Sequence, residues 1–139
     1  MLSRTEIEEL LARWYKSWNE HDLDEVISLF HDEILFENWT GGRVKGKKAL
    51  RRVWASWFAN HDGFHFTEEE TFIDEIHQRA LFRWQLEWPS NEKGYEGEVE
   101  KRKGVDVLHF QDRKIIQKLT YSKTTVKINE KWIRLTKGT

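Results

Sequence analysis

The 139-residue chain has no cysteine and only one proline and one methionine. Without cysteine there is no disulfide framework, no thiolate nucleophile and no cysteine-ligated metal, although the redox compartment stays open. No apolar run is long enough to span a bilayer. The opening segment Met1-Leu2-Ser3-Arg4-Thr5-Glu6 lacks the apolar stretch of a secretory signal, so a soluble, cytoplasmic protein is the expectation. Dinucleotide fingerprints, phosphate loops and nucleophile elbows are also missing, and no cofactor is implied. The histidines, His21, His31, His61, His65, His77 and His109, form no helical metal pair and no recognisable ligand spacing, so no metal site is expected.

Net charge is nearly absent too, at -1, but it is unevenly spread. Residues 1–112 carry 15 Lys+Arg against 23 Asp+Glu, whereas residues 113–139 carry eight cations against Glu130 alone. A basic C-terminal stretch raises the question of nucleic acid. Lys118, Lys123, Lys127, Lys131 and Arg134 are instead scattered among strand-forming residues, which fits solvated strand faces better than a nucleic-acid interface.

What the chain has in abundance is large rings: eight tryptophans, at 14, 18, 39, 54, 57, 84, 88 and 132, and eight phenylalanines. They either fill the space between helices and a sheet or together line an apolar cavity. One domain over residues 1–139 is expected from the length, large enough to bury a core unaided.

Periodicity supplies the architecture. Ile7, Leu10, Leu11, Trp14 and Trp18 recur at helical spacing, predicting a helix over about residues 4–20 with Ser3 or Thr5 as its cap. Asp22 followed by Glu25 reads as a capping start for a short second helix with Leu23, Val26, Ile27 and Phe30 as its stripe. Residues 34–39 read as a short strand closed by Thr40-Gly41-Gly42. A third helix to about Asn60 follows Gly46, its stripe being Leu50, Val53, Trp54, Trp57 and Phe58. From Gly63 the period becomes strand-like: 64–74, 77–88, 95–110 and 114–123, with one more edge strand over 126–135 and fraying beyond it. Three helices before a mostly antiparallel meander give an α+β class. A strongly curved sheet wrapped on the first helix makes a cone with one apolar mouth.

Three segments carry a family resemblance. They are Arg13-Trp14-Tyr15-Lys16-Ser17-Trp18-Asn19-Glu20-His21-Asp22-Leu23-Asp24 continuing to Phe30, His31-Asp32-Glu33-Ile34-Leu35-Phe36-Glu37-Asn38, and Gly104-Val105-Asp106-Val107-Leu108-His109-Phe110 running into Lys114-Ile115-Ile116. With Gly46-Lys47-Lys48-Ala49-Leu50, their order and spacing over roughly residues 5–123 resemble the nuclear transport factor 2-like superfamily, in its SnoaL-like and ketosteroid-isomerase-like branch. The superfamily contains isomerases, cyclases, dehydratases and non-catalytic binding domains, so the resemblance implies the cone fold and not one reaction. It implies a role for Asp106, which matches the oxyanion-hole aspartate of ketosteroid isomerases and resembles the acid/base carboxylate of polyketide cyclases. The proton-shuttling aspartate of those isomerases is matched by Asn38, and their first-helix tyrosine by Trp14. Both replacements argue against steroid-type isomerisation.

Asp106 is therefore the first candidate, an acid in an apolar run. In a dry pocket a neutral carboxylic acid can donate a hydrogen bond, and an ionised one can accept a proton. Asn38 could bind a ligand carbonyl or orient Asp106, and His65 is a reserve base. Trp14, Trp18, Phe36, Trp54, Phe58, Leu108, Phe110 and Tyr121 are the expected ligand-binding residues; the alternative is an inward Asp106 hydrogen-bonded to Tyr121 or Asn38, with no chemistry. Strict alternation also puts Glu98, Glu100 and Arg102 on the Asp106 face, unless Gly104 marks a bulge. The expected partner is a small, mostly apolar molecule. The alternative is a non-catalytic ligand-binding or homodimerising domain, with Val99, Val105, Val107 and Leu119 on an outer contact face.

Overall fold

The computed structural model describes residues 1–60 and 63–135 and, of Asn60, the backbone only. His61 and the fraying expected beyond Leu135 lie outside the described residues.

Helix α1 spans Arg4–Asn19. Ser3 caps it reciprocally: its hydroxyl accepts from the Glu6 amide at 3.2 Å, and its amide donates to the Glu6 carboxylate at 3.0 Å. Two of the orphan amides at the helix start are thereby satisfied. The far end is pinned to the sheet by Asn19, whose side chain donates to the Phe66 carbonyl and accepts from the Phe66 amide. Asp22 caps α2, Leu23–Ser28, by accepting from the Glu25 amide. Helix α3 covers Lys47–Asn60.

The strands are β1 Phe30–Glu37, β2 Arg43–Lys45, β3 His65–Asp74, β4 Arg79–Pro89, β5 Val99–Gln111, β6 Lys114–Ser122, β7 Thr125–Ile128 and β8 Lys131–Arg134. They form one strongly curved sheet in the order β2-β1-β6-β5-β4-β3, with the β7–β8 hairpin continuing from β5. Among the described residues only the β1–β6 pair is parallel. The three helices pack against this sheet, giving the α+β cone.

Several boundaries differ from the periodicity. Phe30 opens β1 instead of closing the stripe of α2, because the Leu29 carbonyl is claimed by the Ile115 amide at 3.0 Å. β2 is an additional short strand, paired to β1 across the turn at Gly41 (φ +90°). The last segment is a hairpin turning at Asn129-Glu130, not one strand. Val53, expected in the buried stripe of α3, is exposed.

The register of β5 decides the inner face. β4 and β5 pair without interruption from Arg79↔His109 to Pro89↔Val99, so Gly104 is not a bulge. Its role is clearance: a Cβ there would overlap the Tyr121 carbonyl and the Trp84 ring. Alternation therefore runs through Glu100, Arg102, Asp106, Leu108 and Phe110, all buried. The cost of two inward charges is met by pairing them, with Arg102 Nε 3.0 Å from Glu100 Oε2. Along the ladders of β5, the register shift lies on the β6 side. His109 pairs with Gln117 but Phe110 with Ile115, leaving Ile116 as the extra residue of a β-bulge. Because of it, Ile115 and, three residues on, Lys118 both face inward.

Two outcomes follow. Gly104→Ala should lower stability by about 1–3 kcal/mol, the usual cost of overpacking, read as a lower urea midpoint. The second concerns Glu6, whose carboxyl is held down from 4.5 to about 2, first by its hydrogen bond to Arg113 and then by the Ser3 amide. Its folded value lies below the unfolded one, so its stabilisation is complete above pH 4.5 and is lost as pH falls toward about 2. Glu6→Gln should flatten the loss of stability over that window in acid-titrated thermal melts.

Candidate functional site

A cavity of about 410 Å³ opens between α1, α3 and the inner face of the sheet. Its wall is aromatic, with Trp14 and Trp18 from α1, Trp54 and Trp57 from α3, and Trp84 and Trp88 from β4. These rings meet mostly edge-on or tilted, as between Trp18 and Trp54 (centroids 5.0 Å apart) and between Phe36 and Trp54 (5.0 Å). Such geometry suits the ring quadrupoles and fixes the wall without filling the space. The indole N–H groups of Trp18 and Trp84 are buried and have no acceptor among the described residues.

Three polar side chains converge on this apolar space. Asp106 is 5% exposed and Lys118 6% exposed. Lys118 Nζ donates to Asp106 Oδ1 at 2.9 Å and to Thr120 Oγ1 at 2.6 Å, and the Thr120 hydroxyl donates to the same Oδ1 at 2.6 Å. The ammonium also faces four rings: Phe36 at 4.9 Å, Trp54 at 5.7 Å, Trp18 at 5.8 Å and Trp14 at 5.9 Å. Burial pushes the Lys118 pKa below the ordinary lysine value, while the charge and hydrogen bond of Asp106 act in the opposite direction. An ammonium has three N–H groups, and two are engaged here. The bonds to Asp106 all fall on Oδ1. One N–H of Lys118 and Oδ2 of Asp106 thus have no hydrogen bond among the described residues.

A second polar group sits toward the other end. Glu100 accepts from the Trp88 indole and the Ser90 hydroxyl and pairs with Arg102, whose guanidinium lies 4.6 Å from the Trp39 ring centroid. Asn91 and Glu92 border the cavity beside it. Burial raises the Glu92 pKa, with Arg102 opposing the rise.

Of the expected site residues, Asp106, Asn38, Trp14, Trp18, Phe36 and Trp54 line the cavity. The others do not. His65 points outward from β3 and is exposed. Phe58 packs behind Trp18, with centroids 5.1 Å apart, and Leu108 and Phe110 belong to the core. Tyr121 is 52% exposed on the outer face, because the Ile116 bulge gives the inward positions to Lys118 and Thr120. Asn38 does not orient Asp106. Its Oδ1 accepts from the Thr40 amide and hydroxyl and from the Gly42 amide, holding the β1–β2 turn. Lys118 and Thr120 were not anticipated as site residues. The available signal was the pair Ile115-Ile116, two apolar residues in succession where strict alternation allows one inward.

No group of three or more His, Asp or Glu side chains suited to a metal occurs among the described residues. No helix is long and apolar enough to cross a membrane.

Comparisons with known proteins bear on the fold. A nuclear transport factor 2-like protein of unknown function from Mesorhizobium loti is 25% identical, with a TM-score of 0.69 over 88% of this chain and 96% of that one. A SnoaL-like protein of unknown function from Burkholderia thailandensis is 20% identical (TM-score 0.68, 88% and 99% covered). An LEH-like epoxide hydrolase from M. tuberculosis is 15% identical (TM-score 0.70, 86% and 84% covered) and shows the fold alone. Comparison with curated proteins finds no match. The SnoaL-like domain model matches residues 11–118, most of the cone, and the chain belongs to that family within the nuclear transport factor 2-like superfamily.

Proposed function

We propose that the protein binds a small, mostly apolar molecule in the cone cavity and moves a proton on it, in chemistry of the isomerase, cyclase or lyase type. The observation that carries this reading is a buried, hydrogen-bonded acid–base pair set in a mostly aromatic cavity of about 410 Å³. The Oδ2 atom of Asp106 is the base, taking a proton from a carbon next to a carbonyl. The remaining N–H of Lys118 donates to the oxygen on which negative charge then develops. In a site with little water, such an oriented charge stabilises the oxyanion more than an exposed lysine would. Return of the proton to a different carbon is isomerisation, loss of a leaving group is elimination, and attack on a second carbonyl is cyclisation. Thr120 holds the pair in register by bonding both members.

With a turned-over substrate, Asp106→Asn should lower kcat by about 10²–10⁴-fold, the usual worth of a positioned acid or base. An unchanged rate would take Asp106 out of the mechanism.

A second reading, homodimerisation through the outer sheet face, is favoured by the register. Leu81, Val107 and Leu119 lie side by side across β4, β5 and β6, with Val105 and Tyr121 as the adjacent pair. Leu81 and Tyr121 are exposed. Sedimentation velocity at micromolar concentration should show a dimer that Leu81→Lys converts to monomer. A monomeric parent protein would eliminate this interface.

A further inference from the structure

Within the reading that the cavity takes a small apolar molecule, we propose that Lys118 captures an aldehyde or ketone as a covalent imine. The substrate class is then a carbonyl compound with a flat apolar body. This adds a covalent role for the lysine itself, with Asp106 as its proton carrier.

The geometry supplies what such a step requires. The amine must border the cavity, and Lys118 does so beside Phe36, Trp18 and Trp54. It must also be able to exist as the neutral nucleophile, and desolvation in an apolar pocket is a known means of activating a lysine. Burial pushes the Lys118 pKa in that direction. A proton carrier must stand within reach, and Asp106 Oδ1 is 2.9 Å from Nζ with the Thr120 hydroxyl between the two elements. The aromatic wall would stack on the body of the substrate and hold its carbonyl carbon near Nζ.

The step balances without a further reagent. The ammonium gives one proton to Asp106, and the neutral amine attacks the carbonyl carbon, forming the C–N bond. A proton moves from nitrogen to the former carbonyl oxygen, giving the carbinolamine. Asp106 then returns its proton to that hydroxyl, the C–O bond breaks and water leaves. The product is an iminium on Lys118 beside the Asp106 carboxylate, the same net charge as at the start. Its electron-withdrawing character would acidify the neighbouring carbon, where Asp106 can act as base.

The test uses the full-length protein with 2-naphthaldehyde and sodium cyanoborohydride, read by intact mass and peptide mapping. Binding of 2-naphthalenemethanol, which cannot form an imine, is followed in parallel by tryptophan quenching. The expected result is a single adduct of the probe's mass less one oxygen. It should map to Lys118, with occupancy about tenfold or more above that of exposed lysines such as Lys16. Lys118→Arg, which keeps the charge beside Asp106, should lose that adduct and keep any slow surface labelling. If the alcohol binds while Lys118 stays unlabelled, or labels no faster than Lys16, the imine is overturned and the cavity reading stands. If the alcohol does not bind and Lys118 is unlabelled, both fall. The mapping is made on the parent protein, so a poorly folding variant does not weaken the result.

Discussion

Placing the Lys118 ammonium among aromatic rings is the constraint around which the cone is organised. An isolated buried charge costs several kcal/mol. Here the cost is met by three contacts that must coexist: the Asp106 carboxylate at 2.9 Å, the Thr120 hydroxyl at 2.6 Å and the faces of four rings. Each ring comes from a different stretch of chain or a different helical turn. Trp14 and Trp18 lie one turn apart on α1, Trp54 lies on α3 and Phe36 on β1. The same residues close the cavity wall. Removing one partner would therefore disturb the site and the helix–sheet packing together.

The inner face has a second buried ionic group, and the two differ in what they leave available. Glu100 is occupied by Arg102, the Trp88 indole and the Ser90 hydroxyl. It anchors the strand end and the loop after β4, and its partners are structural in effect. The Asp106–Lys118–Thr120 group concentrates its bonds on Oδ1, so that one carboxylate oxygen and one ammonium proton can be directed at a guest. A charged pair with spare hydrogen-bonding capacity, facing an aromatic cavity, is the feature on which the proposed function rests.

Much of the fold was legible because its signals are local. Ile7, Leu10, Leu11, Trp14 and Trp18 define the buried face of α1 by spacing alone, and Ser3 with Glu6 marks its start. On β4, the alternation of Ala80, Phe82, Trp84, Leu86 and Trp88 matches the burial residue for residue. The direction of Asp106 was not legible in the same way, since it hung on whether Gly104 marks a bulge; the unbroken β4–β5 register turns Asp106 inward. The start of β1 is not legible locally, because Phe30 suits a helix stripe and a strand equally. Its state was decided by the Leu29 carbonyl meeting Ile115, 86 residues away in the chain.

The sequence by itself determined the helices, the class of fold, the aromatic wealth and Asp106 as an acid in an apolar run, since each depends on periodicity or residue type; its inward direction hung on whether Gly104 is a bulge, which the register answers. Only the tertiary structure decided which residues meet that acid. A single extra residue at Ile116 inverts the faces of β6, sending Tyr121 to solvent and bringing Lys118 and Thr120 inside. Side chains alternate with period two, so a one-residue bulge exchanges the two faces. Two apolar residues in succession permit such a bulge, but whether the strand takes it depends on its pairing with β1 and β5.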